Sequence, residues 1–125
     1  MTAATVWRID VPMVVHGRPW TANDRVHWRT RALYTRTIRE SVAWVAKSLH
    51  IGPQAHITVG LHYQPGDSRR RDAPNLTTSQ KPSVDGLRDA GIVPDDTAEF
   101  VTELMPVIHP GKNRRALWLE IEATP

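Results

Sequence analysis

The rest of the chain is organised around the stretch Arg69–Asp96, RRRDAPNLTTSQKPSVDGLRDAGIVPDD. Three arginines run directly into Asp72. A turn-like segment, Lys81, a short helical pattern and the acidic pair Asp95 and Asp96 then follow. Carboxylates are the ligands that Mg²⁺ takes, and neighbouring cations suit the phosphates that such a metal activates. The alternative interpretation is a charged surface loop.

Length and composition indicate a globular domain. The chain has 125 residues, enough for one domain with a modest core, and 40% of them are hydrophobic. It contains no cysteine, which excludes disulfides and thiolate metal sites. No apolar run reaches the length of a membrane span, and the N-terminal sequence MTAATVWRID lacks a signal-peptide core. We therefore expect no membrane partner and a cytoplasmic location.

The charge balance favours a nucleic-acid partner. The formal net charge is only +3, but arginine greatly outnumbers lysine, and the pI is about 9.8. Arginine is suited to bidentate contacts with phosphate. A basic protein of this kind fits nucleic acid as a partner without establishing it.

Residue alternation predicts four strands, which span Val6–Met13, Ala55–Gln64, Glu99–Ile108 and Ala116–Glu122. The segment HPGKNRR between the last two is typical of a hairpin loop. His56 and His62 share one face of the second strand. They are about 20 Å apart at the usual rise per residue, which is too far to bind one metal. We interpret both as ordinary polar strand residues.

Two helices are predicted between these strands. His27–Leu49 carries an apolar stripe at helical spacing, with Asn23 or Asp24 as candidate N-cap. Ser79–Ala90 is a shorter helix with Ser79 as N-cap, Pro82 in the first turn and Gly91 as terminator. On the longer helix the arginines opposite the stripe form a basic arc, which is either a solvated face or a phosphate-tracking one; they are Arg25, Arg29, Arg36 and Arg39.

The predicted order is β-α-β-α-β-β, an α/β (α+β) fold with a small mixed sheet in a single domain, residues 1–125. The stretch RRRDAPNL, then Lys81, then VDGLRDAG and IVPDD, resembles the RusA family of Holliday junction resolvases. The motif of that family runs Asp-x-Asp-Asn, a lysine, an Asp-x-Leu helix and a final Asp-Asp. The spacing from Asn75 to Lys81 is longer than in the short enterobacterial form of the family. It is similar to the spacing in the variant seen in actinobacterial phages and prophages.

The resemblance implies a homodimer that resolves four-way DNA junctions in recombination and repair, through paired nicks that depend on Mg²⁺. Mn²⁺ is expected to substitute for Mg²⁺. If the chain is phage-encoded, it would act in the host-cell cytoplasm. The roles implied are Mg²⁺ binding by Asp72 and Asp96, with Asp95 as a weaker candidate ligand, and Lys81 as a point charge near the scissile phosphate.

The remaining residues of the motif receive supporting roles. DNA-backbone binding is expected from the three arginines before Asp72 and from the helix arc, represented by Arg69, Arg70, Arg71, Arg29 and Arg36. Asn75 is expected to order the loop. Asp85 is expected to serve the first turns of the short helix, where a negative charge is favourable.

One position departs from the motif. The middle acid of the family falls at position 74, where this chain has Pro74. Proline offers no metal ligand, so the departure leaves two hypotheses open, an active junction endonuclease and a junction-binding protein with little or no cleavage. Asp67 or Asp95 could substitute for the missing acid. If the local chain is extended, Pro74→Asp would place a second carboxylate on the same face as Asp72. A third hypothesis is a small α/β domain with an unrelated partner.

Overall fold

A five-stranded mixed sheet and two α-helices make up the computed structural model, which describes residues 4–123. Residues 1–3 and 124–125 of the predicted domain lie outside the described part. The elements follow one another as β1 (Thr5–Asp10), α1 (Trp28–Ser48), β2 (Ile57–Gln64), a 3₁₀ turn (Ala73–Leu76), α2 (Thr77–Asp89), β3 (Val101–Glu103), β4 (Val107–Ile108) and β5 (Ala116–Ala123). The predicted α+β class is confirmed.

The central strand of the sheet is β2. It pairs antiparallel with β5 along its whole length, from Ile57 opposite Ala123 to Gln64 opposite Ala116. On the other side of β5 lies β1, also antiparallel. On the other side of β2 lie β3 and β4, both parallel to it. The order is therefore β-α-β-α-β-β-β, with one strand more than predicted.

The predicted hairpin between the last two strands is wrong. Because β4 and β5 pair with opposite edges of β2, residues 109–115 cross over the end of β2 and do not form a tight turn. The predicted strand Glu99–Ile108 is also divided, since Leu104–Pro106 interrupts it. Pro106 has no N–H to donate to a ladder.

The core lies between one face of the sheet and the two helices. Alternate residues of β2, namely Ile57, Val59, Leu61 and Tyr63, are buried, and the predicted inward residues of β5 are buried with them. On α1, Ile38 and Val42 of the predicted stripe are fully buried, whereas Leu49 is 45% exposed. Burial of this apolar area is the main term that holds the helices on the sheet.

The N-cap of α1 differs from the prediction. His27 caps the helix, and its Nδ1 accepts the N–H of Arg29 at 3.2 Å. Asp24 instead closes the preceding loop, because its carboxylate accepts the N–H of Thr21 at 2.9 Å and binds Arg18. Asp24, which was expected to cap α1, therefore stabilises the loop that precedes the helix.

The start of α2 also differs from the prediction. The 3₁₀ turn at Ala73–Leu76 moves the start of the helix to Thr77, so Pro82 falls in the second turn. Ser79 is no cap; it is fully buried and donates its hydroxyl to the carbonyl of Trp20 at 2.6 Å. Asp85 lies in the third turn, so its predicted role in the first turns is wrong.

The end of α2 follows the prediction. Gly91 has φ +80°, and its N–H bonds the carbonyl of Arg88 at 2.9 Å. The N–H of Ile92 reaches back to the carbonyl of Leu87 at 3.3 Å, which completes a Schellman motif. This turn directs the chain from α2 towards Asp95 and Asp96. No helix within residues 4–123 is both long and apolar enough to cross a membrane.

Candidate functional site

A cleft of about 410 Å³ opens where β2 and β4 end. Its walls come from the loop before α1, the segment before α2 and the segment before β5. Five arginines line it, and we call it the arginine cleft; they are Arg18, Arg69, Arg70, Arg71 and Arg115. The apolar part of its lining includes Tyr63, Leu76 and Ile108, and the acids Asp24 and Asp72 also line it.

Carboxylates hold three of these arginines in place. Asp67 accepts the N–H of Arg69 at 3.0 Å and pairs with the Arg71 guanidinium at 2.7 Å. These bonds hold the pKa of Asp67 well below its usual range, with the backbone bond from Arg69 contributing most. On the opposite wall Arg18 binds Asp24 through two bonds of 2.7 and 3.0 Å, which lowers the pKa of Asp24.

The other two arginines have no carboxylate partner among residues 4–123. Arg70 is exposed, and Arg115 donates only to the carbonyl of Gly17, at 3.2 Å. A guanidinium whose charge is not offset by a carboxylate is free to bind phosphate. The prediction that Arg69–Arg71 contact nucleic acid therefore fits Arg70 best, because Arg69 and Arg71 are already engaged with Asp67.

Asp72 lines this cleft and is exposed. It precedes the 3₁₀ turn, and its backbone carbonyl accepts the N–H of Asn75 at 3.1 Å. The carbonyl of Asn75 accepts the N–H of Ala22 at 3.0 Å, so Asn75 ties this turn to the loop before α1. Pro74 lies inside the turn and is exposed. The backbone of Asp72 is extended, but the 3₁₀ turn begins at Ala73, so residues 72 to 74 do not form the extended segment that the sequence-based expectation required.

Lys81 is the centre of a second group, which we call the Lys81 cluster and define as Lys81, Asp85, Arg88, Asp95 and Asp96. The ammonium of Lys81 lies 3.0 Å from Asp85 and directly contacts Asp96. Arg88 lies 3.8 Å from both Asp95 and Asp96. The bond from Lys81 lowers the pKa of Asp96 to about 2, and the same bond raises the pKa of Lys81. Both groups are therefore fully charged near neutral pH.

The structure brings some of the predicted catalytic residues together and separates others. Lys81, Asp95 and Asp96 lie together, as the sequence predicts. Asp85 joins them through its bond with Lys81, at the i, i+4 spacing that is typical of an ion pair on a helix. Asp72 lines the arginine cleft, and no ion pair or hydrogen bond in residues 4–123 links it to Asp96.

The carboxylates of the Lys81 cluster suit Mg²⁺ in chemistry but not in arrangement. Mg²⁺ takes oxygen ligands of this kind. Within residues 4–123, however, no group of three or more His, Asp or Glu side chains is placed to hold a metal. The ammonium of Lys81 occupies the position between Asp85 and Asp96 where a cation would bind.

The basic arc of α1 lies away from the cleft. Arg29 and Arg36 are exposed on α1, and neither lines the arginine cleft. Arg39 binds Asp89 of α2, with Nη2 and Oδ1 2.8 Å apart, so it belongs to the contact between the helices. Arg31, which departs from the basic arc, lies over the ring of Trp20 at 6.0 Å.

The two strand histidines have separate partners. His56 bonds the hydroxyl of Thr102 at 2.8 Å. His62 bonds His109 at 2.9 Å and Glu120 at 2.6 Å, and burial lowers its pKa despite the nearby carboxylate. No local pattern in the sequence pointed to this grouping, because it depends on which strands flank β2.

Comparisons of the sequence with protein-family models and with curated proteins give no match. The resemblance to the RusA motif therefore depends on the residues of Arg69–Asp96.

Proposed function

We propose that this protein binds four-way DNA junctions as a homodimer and nicks them in a Mg²⁺-dependent reaction, as a cytoplasmic endonuclease of the RusA type in recombination or repair. The observation that carries the proposal is the arginine cleft, with Asp72 on its wall. The sequence motif adds Lys81 and Asp96 as the residues expected at the scissile phosphate.

The charge distribution supports DNA as the partner. Arg70 and Arg115 carry charge that no carboxylate offsets in the described part of the chain, and the exposed Arg29 and Arg36 form a separate basic surface on α1. Contacts of this kind neutralise backbone phosphates and release counterions, which gives affinity without sequence preference.

An exposed apolar segment supports the homodimer. Leu104, Met105 and Val107, at the edge of the sheet, are 51%, 58% and 42% exposed. Adjacent exposed apolar side chains at a sheet edge are typical of an interaction surface. A four-way junction has two-fold symmetry and requires two nicks, which a C2 dimer of one-site chains supplies.

Sedimentation should give twice the chain mass of 14.1 kDa. A monomer at micromolar concentration, both free and on junction DNA, would contradict the homodimer.

A second candidate function is junction binding with little or no cleavage. Two observations favour it: Pro74 stands where the motif has an acid, and Asp72 is not grouped with Asp96. Both weaken the case for a shared metal, whereas neither affects the arginine cleft.

A gel assay with a synthetic four-way junction tests both candidates. Preference for the junction over a duplex of equal length supports the shared part of the proposal, and its absence would overturn both functions. Nicking in Mg²⁺ or Mn²⁺, with none in EDTA, then separates the endonuclease from the binding protein.

A further inference from the structure

The arginine cleft combines two surfaces that a site for phosphate alone would not need. Its walls are cationic, but its lining includes Tyr63 and Leu76, which are only 4% and 3% exposed, and the partly buried Ile108. Its volume of about 410 Å³ falls in the range of pockets that enclose small organic molecules. The backbone of a duplex is a ridge of phosphates and does not require an apolar pocket.

The arginines of the cleft differ in their partners, and they suit different parts of a ligand. Arg70 and Arg115 have no carboxylate partner among residues 4–123 and suit a phosphate at the rim. Arg71 is clamped by Asp67, and its guanidinium lies 5.9 Å from the centre of the Tyr63 ring. Unpaired bases commonly stack on guanidinium planes held in this manner.

The cleft also offers hydrogen-bonding groups for a base edge. The side chains of Asn75 and Asn23 line it, and neither side chain makes a hydrogen bond within the described residues. An amide carries both a donor and an acceptor, which is the combination that nucleobases present.

We propose that the arginine cleft holds one unpaired nucleotide of the DNA substrate, with its base against the apolar lining and its phosphate on Arg70 and Arg115. The inference rests on the proposed action on DNA and adds that the substrate must offer an unstacked base. Extruding a base is least costly where pairing is already interrupted, as at the crossover of a junction.

The test compares two fluorescein-labelled probes by anisotropy, a single-stranded hexathymidylate and the same hexamer with all bases replaced by abasic sites. We expect the hexathymidylate to bind at least about fivefold more tightly than the abasic strand, because base stacking adds to the phosphate contacts. Equal affinity for the two strands would overturn the inference, since the cleft would then be a phosphate site only. This comparison needs no variant.

A pair of variants locates the effect. Asn23→Leu replaces the amide with an aliphatic side chain, adds no aromatic face and removes no cation, so it should lower the affinity for hexathymidylate towards that for the abasic strand. Asn113→Leu makes the same change at an exposed position outside the cleft and should leave both affinities unchanged. Circular dichroism and thermal melting check that both variants fold. An Asn23→Leu protein that folds and keeps the full preference for the strand with bases would also overturn the inference.

The outcome is separable from that of the proposed function. If the protein shows no preference for junctions but binds hexathymidylate through its bases, the junction function fails and the nucleotide cleft stands. If it prefers junctions but binds abasic and normal strands equally, the cleft assignment fails and the junction function stands.

Discussion

Gly86 allows α1 and α2 to approach closely, and Gly86→Ala should destabilise the protein. A Cβ at this position would lie 2.6 Å from the carbonyl oxygen of Arg39 and 3.0 Å from the Cβ of Val42. Ordinary contact begins at 3.4 Å, so the helices would have to separate by roughly 0.8 Å, which is 3.4 minus 2.6. The nearest atom belongs to the backbone and cannot rotate away.

The magnitude follows from two opposing terms. Overpacking costs about 1–3 kcal/mol, and the rigid neighbour places this site in the upper half of that range. Alanine recovers about 1 kcal/mol in helix propensity over glycine. We therefore expect a net loss of roughly 1–2 kcal/mol in the free energy of unfolding. That loss corresponds to a fall of about 4–8 °C in Tm for a domain of this size.

Urea and thermal denaturation, followed by circular dichroism, measure this loss. Gly52→Ala is the matched control, because a Cβ at Gly52 meets nothing within 4 Å and its φ is not positive. The control should be neutral or stabilising by up to about 1 kcal/mol. A Gly86→Ala protein as stable as the control would refute the close approach of α1 and α2.

Three further predictions concern the proposed function. Asp96→Asn removes a carboxylate but no DNA-binding cation. Any nicking should therefore be lost, while the affinity for a junction, measured by gel shift, stays within about twofold of the parent. An Asp96→Asn protein that nicks like the parent would show that the site is misassigned. Arg70→Ala should weaken junction binding and reduce the slope of log K against log salt by about 1, measured by anisotropy across a salt titration. Pro74→Asp should change the nicking rate and the Mg²⁺ midpoint by less than about twofold, because position 74 lies in a 3₁₀ turn and not in an extended segment with Asp72. A tenfold gain in single-turnover nicking would mean that the turn unwinds on DNA.

The elements whose signals are local were predictable from the sequence. Alternation located β1, β2 and β5, the apolar stripe located α1, and Gly91 marked the end of α2 within one residue. Helix starts were harder, since the segment before α2 forms a 3₁₀ turn that no residue pattern had indicated.

What the sequence could not supply is the choice of strand partners. Residues 109–115 have the composition of a hairpin loop, but β2 lies between the strands that they connect. The same limit applies to the site. Lys81 and Asp96 meet because a single turn after α2 brings them together, whereas the position of Asp72 depends on how the loop before α1 closes over the 3₁₀ turn.

The contact between Lys81 and Asp96 sets a condition on any nicking reaction. While the Lys81 ammonium lies between Asp85 and Asp96, it occupies the position that a metal ion would need. It also lowers the pKa of Asp96 to about 2. A DNA phosphate would compete with the two carboxylates for Lys81, because lysine forms charge-assisted bonds to phosphate as well as to carboxylate. Bound DNA would therefore draw Lys81 off the two carboxylates and leave them free as oxygen ligands. On this view the free protein is arranged for binding, and the acidic residues become available only after the substrate has engaged the lysine.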